Sequence, residues 1–145
     1  GAFGGVALAH VMFAHALFVP STHARGTVAE IVSEVVATFG LLAVIFGVAR
    51  RRREAVPWAV GAYITAAYWF TASTSFANPA VTIARALSDT FAGIAPQSVV
   101  GFVVAQALGA IVALALFSWL LREGMTVETA INGSLVKARI GAKLR

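Results

Sequence analysis

The sequence predicts an all-α membrane protein with several spanning helices. Of its 145 residues, 59% are hydrophobic and only 12% are charged, whereas a soluble domain carries about 25% charged residues. So few charges cannot cover a soluble surface, and the apolar residues stand in long blocks. At about 20 residues for each bilayer crossing, the length gives room for roughly four to five membrane segments.

Composition also narrows the function classes. The chain has no cysteine, so neither disulfides nor thiol chemistry is available. The net charge of +5 does not indicate a nucleic-acid partner, because the positive residues concentrate in Arg50–Arg53 and in the tail after Leu121. The histidines lack metal-ligand spacing with carboxylates, and they are His10, His15 and His23. We therefore predict no catalytic residue, no metal and no cofactor, which disfavours a membrane enzyme.

The first two apolar blocks are separated by a polar loop. Gly1–Val19 is just long enough to span a bilayer, and Pro20–Gly26 is predicted to be a loop. Thr27 followed by Glu30 is a capping-box pattern, which predicts a helix start at this point. The block Val28–Ala49 then gives about 33 Å of helix, enough to cross the membrane.

Two further spans follow. Arg50–Arg53 ends the second block, and Pro57 suits the first turn of a helix predicted over Trp58–Ala72. Ser98–Leu121 is another full span, and residues 122–145 form a polar, basic tail.

The placement of Lys and Arg predicts the orientation of these spans. Cytoplasmic loops carry an excess of Lys and Arg, so the arginine run at 50–53 and the tail should be cytoplasmic. The loops at 20–26 and 88–97 should then face outside. The sequence thus divides into a transmembrane domain, 1–121, and a basic cytoplasmic tail, 122–145.

One stretch breaks the pattern of full spans. Thr71–Ala77, "TASTSFA", is small and polar, and the following Asn78-Pro79 pair is a helix-start signal. The helix predicted over Pro79–Leu87 is about 13 Å long and covers only half of the hydrocarbon core. Irregular backbone survives at membrane depth only where it is buried in protein or lines a wet cavity. The stretch therefore indicates a pore or a binding site.

Asn78 has a specific chemistry at the start of this half-helix. Capping uses its side-chain oxygen, so its amide NH₂ is left to donate to the oxygen of a neutral solute. The positive end of the helix dipole lies at the same point and repels cations. The alternative is that Asn-Pro is a simple loop turn before a short interfacial helix.

"NPA" before a half-helix resembles the aquaporin and aquaglyceroporin (major intrinsic protein) family. Gly1–Phe18 resembles the later part of the family's third span. The fourth, fifth and sixth spans are similar to "AEIVSEVVATFGLLAVIFGV", "ARRRREAVPWAVGAYITAAY" and "VGFVVAQALGAIVALALF". The resemblance covers about residues 1–121. It implies the C-terminal portion of the aquaporin fold: the end of the third span, three full spans and one re-entrant half-helix.

The resemblance also implies a homotetramer in the lipid bilayer, here a bacterial inner (plasma) membrane. Each protomer of the family has two inverted repeats, and each repeat carries one NPA. This chain holds one NPA, so we expect it to be truncated within the third span. Because a pore needs both repeats, we expect this piece alone to conduct nothing.

The resemblance also implies which residues form the site, by matching the family's motif position by position to this sequence. The pore motif is Asn78, Pro79 and Ala80, and the outer selectivity filter draws on Ala66, Ser75 and Val81. In the family the last filter position is usually arginine, so Val81 is a departure. The resemblance further implies that Glu34 is buried and accepts hydrogen bonds from the backbone of the loop before NPA.

The filter predicts the class of solute. Valine neither narrows the pore nor repels cations as arginine does, and Ala66 and Ser75 are small, so the filter should be wide. We predict a passive channel for small uncharged solutes, such as polyols or metalloid hydroxides like arsenous acid, resembling bacterial channels linked to arsenic resistance. The alternatives are a water or glycerol facilitator and a non-transporting membrane assembly protein.

A stripe of small residues marks the last span. The stripe recurs every four residues and consists of Gly101, Ala105, Gly109 and Ala113. Small residues at helical spacing permit close contact between membrane helices. We predict helix packing here, with lipid-facing alanine as the alternative.

Overall fold

The computed structural model describes residues 1–120, which form α-helices, two short 3₁₀ turns and loops, with no strand in that range. The predicted tail at 122–145 and the last residue of the predicted final span lie outside the described residues. The five helices are α1 (Ala2–Met12), α2 (Val28–Ala49), α3 (Val56–Phe70), α4 (Pro79–Arg85) and α5 (Pro96–Leu120). Of these, α2 and α5 are long and apolar enough to cross a membrane.

The starts of α2 and α4 confirm the predictions made from local sequence. Glu30 N–H donates to Thr27 Oγ1 (3.3 Å), and Thr27 N–H donates to Glu30 Oε2 (3.0 Å), which completes the capping box. At α4, Asn78 is the N-cap and Pro79 the first helical residue. Both caps satisfy N–H groups that the first turn of a helix leaves free.

The first helix is shorter than predicted. It ends at Met12, whereas the apolar block continues to Val19. Ala14 (φ +54°) and Phe18 (φ +56°) adopt left-handed conformations that an α-helix cannot contain. The prediction of one span over Gly1–Val19 is therefore wrong, because its second half is loop.

The observed bounds of α3 and α4 differ from the predicted ones by about one turn or less. Helix α3 begins and ends two residues earlier than predicted. Both the N–H and the hydroxyl of Thr71 donate to Ala67 O, which closes the helix at this point. Helix α4 ends at Arg85, with Ala86 as its C-cap, two residues before the predicted end.

Helix α2 contacts both α3 and α5. The Tyr63 hydroxyl of α3 donates to Ala37 O of α2 at 2.9 Å. On α5, a Cβ placed on Gly109 would collide with the Val35 carbonyl and lie 3.1 Å from Thr38 Cβ. Only glycine allows the two backbones to approach this closely.

The rest of the small-residue stripe lies along the same helix. A Cβ on Gly101 would lie 3.5 Å from Ile31 Cδ1 of α2, which is ordinary contact. Ala105 and Ala113 are buried. Residues Gly1–Ala113 form one unit, and 114–120 are the described part of a second, in which the Ser118 hydroxyl donates to Leu114 O.

The apolar core lies beside the start of α4. Its buried members are Phe76, Ala86, Ile94 and Phe102, with Ile31 and Val99 packed against them. The rings of Phe76 and Phe102 meet edge to face with centroids 5.2 Å apart, a favourable arrangement for aromatic pairs. This core fixes the loop that precedes Asn78.

Candidate functional site

The site is built around the first turn of α4. Asn78 Oδ1 accepts hydrogen bonds from Ala80 N–H (2.8 Å) and Val81 N–H (3.4 Å). Asn78 is exposed, and within residues 1–120 its side-chain amide donates to no other group. The cap therefore leaves two N–H donors of Asn78 available at the tip of the helix.

The loop before Asn78 follows a strained path. Thr74, Ser75 and Ala77 have φ of +60°, +47° and +49°, values that residues other than glycine rarely adopt. Such conformations persist only where the surroundings hold them in place. In this loop the holding group is a carboxylate.

Glu34 of α2 provides that carboxylate. Its side chain is 0% exposed. Phe76 N–H donates to Glu34 Oε2 at 3.2 Å, and Ala77 N–H donates to Glu34 Oε1. The contact is the one that the family resemblance implied. Each of its two oxygens thus accepts a backbone N–H, and Glu34 holds the two residues before Asn78.

Gln106 of α5 joins this arrangement. Its Nε2 donates to Glu34 Oε1 (2.9 Å) and to Thr82 Oγ1 (2.8 Å). Thr82 Oγ1 in turn donates to Asn78 O at 3.0 Å. Three helices, α2, α4 and α5, are thereby linked by hydrogen bonds behind the first turn of α4.

Arg25 is a structural residue that the sequence analysis missed. It is 6% exposed, and its guanidinium donates to three backbone carbonyls: Gly93 O (2.8 Å), Ser73 O (3.3 Å) and Phe91 O (2.7 Å). Burial lowers the pKa of Arg25, and attraction to Glu30 opposes the shift. The one signal in the sequence is an arginine in a loop predicted to face outside, where positive residues are less frequent.

Asp89 ties the same loops together at the surface. Its Oδ1 accepts hydrogen bonds from Thr22 N–H (2.8 Å) and Thr22 Oγ1–H (2.9 Å). These bonds, the backbone one first, lower the pKa of Asp89 because they favour the ionised carboxylate. With Arg25, Asp89 fixes the 20–26 loop against the segment that follows α4.

The three predicted filter positions lie in different environments. Ala66 is exposed on α3, whereas Ser75 is 3% exposed and its Oγ is buried without a partner among the described residues. Val81 is half-buried and lines a cavity of about 490 Å³ between α1 and α4, hereafter the α1–α4 cavity. Neither Ala66 nor Ser75 lines this cavity, so the structure does not bring the three positions together there.

The lining of the α1–α4 cavity includes polar side chains that the sequence analysis did not assign to the site. His10 is 3% exposed on α1, and its Nε2 lies 2.8 Å from Ser88 Oγ. Arg85 of α4 lines the cavity as well. No cluster of His, Cys, Asp or Glu suited to a metal ion occurs within residues 1–120.

The matches found among known proteins agree on one family. Residues 52–142 match the family model described as major intrinsic protein. The chain is 57% identical over 127 residues to a protein named aquaglyceroporin AqpS from Rhizobium meliloti (strain 1021). That alignment covers 88% of this chain and 54% of the relative, so the chain spans about half the length of that relative. No solved structure matches the chain.

Proposed function

The chain belongs to the major intrinsic protein family, and on this premise we propose that it forms part of a passive channel for small uncharged solutes. The observation that carries the proposal is the tip of α4. Asn78 caps a helix of only 7 residues, and within residues 1–120 its amide NH₂ donates to no other group. Glu34 holds the preceding loop. A helix this short is about 10 Å long and cannot span a bilayer.

The transported solute is proposed from the same turn. Asn78, Pro79 and Ala80 form the pore motif, and the free amide of Asn78 donates to a solute oxygen. This chain contributes Ala66, Ser75 and Val81 to the filter, and none of the three carries a charge. Such a filter admits polyols and metalloid hydroxides such as arsenous acid. The name of the rhizobial relative, an aquaglyceroporin, supports a glycerol-like solute.

The assembly and location are further parts of the proposal. Family members are integral membrane proteins, and α2 and α5 are long and apolar enough to cross a bilayer. We place the chain in a bacterial plasma membrane with the arginines of 50–53 on the cytoplasmic side. The working channel is a homotetramer in which the part of the fold that this chain does not carry completes each pore.

Solute uptake tests the proposal directly. The chain is joined to the part of the rhizobial aquaglyceroporin that it does not match, and the product is reconstituted into proteoliposomes. Glycerol and arsenous acid should enter these vesicles faster than protein-free vesicles, because a solute that passes through a pore does not have to cross the hydrocarbon core of the bilayer. The measurement is light scattering for glycerol and arsenic content for arsenous acid.

The controls compare uptake by the joined protein with uptake by this chain alone. Vesicles with this chain alone should resemble protein-free vesicles if both repeats are needed. Equal uptake by the joined protein and by empty vesicles, for both solutes, would overturn the channel proposal.

A further inference from the structure

Arg25 binds the chain both before and after α4. Its Nη1–H donates to Ser73 O at 3.3 Å, in the loop before Asn78. Its Nε–H and Nη2–H donate to Gly93 O at 2.8 Å and to Phe91 O at 2.7 Å, in the segment after α4. A guanidinium carries several N–H donors in a rigid plane, so one side chain can serve acceptors in different segments. Arg25 therefore links the segment that enters α4 with the segment that leaves it.

Arg25 is itself fixed in place. The residue is almost fully buried, and its backbone N–H donates to Ser98 Oγ at 3.1 Å. Its Cζ lies 5.3 Å from the centroid of the Phe76 ring, close enough for a cation–π contact. Its Nη1 also lies 3.8 Å from Glu30 Oε1. The guanidinium thus makes its hydrogen bonds from a position that the surrounding residues define.

Ser73 connects Arg25 with Ser75, one of the proposed filter positions. Ser73 is 0% exposed, and its Oγ accepts a hydrogen bond from Ser75 N–H at 3.2 Å. Ser75 has a left-handed backbone with φ of +47°, a conformation that needs support from its surroundings. A change in the position of Ser73 should therefore move Ser75 as well.

The other end of the link reaches the α1–α4 cavity. Phe91 and Ala92 line this cavity together with Val81. Arg25 binds the carbonyls of the residues on either side of Ala92, so a shift of Ala92 would stretch or break these bonds. One side chain thus holds both a residue of the proposed filter and a part of the cavity wall.

We propose that Arg25 is a positioning residue that sets the distance between Ser75 and the 91–93 segment, and thereby the largest polyol that the channel admits. Because Arg25 is buried and its guanidinium binds backbone carbonyls, it acts through these segments and does not bind the solute. The inference rests on the proposed channel function. It adds to that function a size-determining residue from the 20–26 loop, outside the three filter positions.

The ratio of two uptake rates tests this role. The joined protein is reconstituted into proteoliposomes, and light scattering gives the uptake rates of glycerol and of the longer polyol xylitol. Poor folding of a variant lowers both rates by the same factor. The ratio therefore reports the selectivity of the channel and not the amount of working channel.

Arg25→Lys should lower the ratio of the glycerol rate to the xylitol rate by about threefold, because a loosened wall admits the larger solute more often. Lysine keeps the positive charge near Glu30, but its single nitrogen cannot reach carbonyls in separate segments as the guanidinium does. Ser73→Ala removes the acceptor of Ser75 N–H and leaves the bonds of Arg25 in place. It should lower the ratio in the same direction.

Asp89→Ala is the matched control. Asp89 holds the same 20–26 loop through Thr22. Within residues 1–120, however, it makes no hydrogen bond to the loop before Asn78. This variant should keep the parent ratio, even if it lowers the amount of folded channel.

Hydrogen exchange tests the link without any transport. In the chain purified in mild detergent, Arg25→Lys should speed amide exchange over residues 73–77 by about tenfold, since these amides then open more often. Asp89→Ala should leave the same amides at the parent rate. The centre of α2 should stay protected in both variants, which shows that the fold is kept.

The outcomes separate this inference from the channel proposal. A parent ratio or unchanged exchange in Arg25→Lys, or an equal fall of the ratio in Asp89→Ala, would overturn the inference while glycerol uptake still supports the channel. If Arg25→Lys takes up neither solute, a parent ratio in Ser73→Ala would overturn the inference. Faster exchange at 73–77, in a joined protein whose parent form takes up neither solute, would support the link through Arg25 and overturn both the channel and the role in selectivity.

Discussion

Glu34→Leu should lower the free energy of unfolding by about 4 kcal/mol, because three buried donors lose their acceptor. These donors are Phe76 N–H, Ala77 N–H and Gln106 Nε2. The left-handed backbone at Ala77 then loses the contact that holds it. The measurement is unfolding of the purified protein by denaturant in mild detergent.

Two variants make the Glu34 result specific. Glu54→Leu changes an exposed carboxylate in the same way and should cost less than about 0.5 kcal/mol. Glu34→Gln keeps one oxygen acceptor and should recover part of the stability. If Glu34→Leu and Glu54→Leu unfold alike, the carboxylate does not hold the loop.

Val81→Arg, in the protein joined to the unmatched part of the rhizobial relative, should reduce glycerol and arsenous acid uptake by about tenfold or more, because a bulky side chain narrows the pore. The new guanidinium also lies one helical turn from Arg85, where two like charges repel. Uptake is measured in proteoliposomes, as for the parent protein.

An uncharged variant at the same position separates size from charge. Val81→Leu adds one methylene group without charge and should reduce uptake far less than Val81→Arg. If Val81→Arg transports both solutes at the parent rate, position 81 is not in the filter.

The parts of the fold that depend on neighbouring residues could be predicted from the sequence. Asn78 with Pro79, and Thr27 with Glu30, carry their capping partners within a few residues, so the starts of α4 and α2 were predicted correctly. The apolar length of Val28–Ala49 likewise fixed that helix, since nothing inside it competes with helix formation.

The end of α1 could not be predicted in this way. The run after Met12 contains no Gly or Pro before Pro20, so no local signal stops the helix. The chain instead turns at Ala14 and Phe18. Nearby, Ser21 N–H donates to Ala86 O at 2.9 Å, a contact between segments that are distant in sequence.

Most contacts of the candidate site likewise could not be predicted from neighbouring residues. Arg25 binds backbone carbonyls. Because every residue has a backbone carbonyl, the partners of Arg25 cannot be identified from the sequence. His10 and Ser88 are 78 positions apart. Only Glu34 could be connected with the loop before Asn78, and that connection came from the family resemblance and not from spacing.

The proposed function requires that the first turn of α4 lines the route of the solute. Val81→Cys in the joined protein, labelled with a bulky maleimide, tests it most directly. Ile83→Cys lies two residues away on the same helix at a position 50% exposed and serves as the matched control. Labelling at position 81 should abolish glycerol uptake, whereas labelling at position 83 should leave most of it. If uptake is unchanged after complete labelling at position 81, the first turn of α4 does not line the route of the solute.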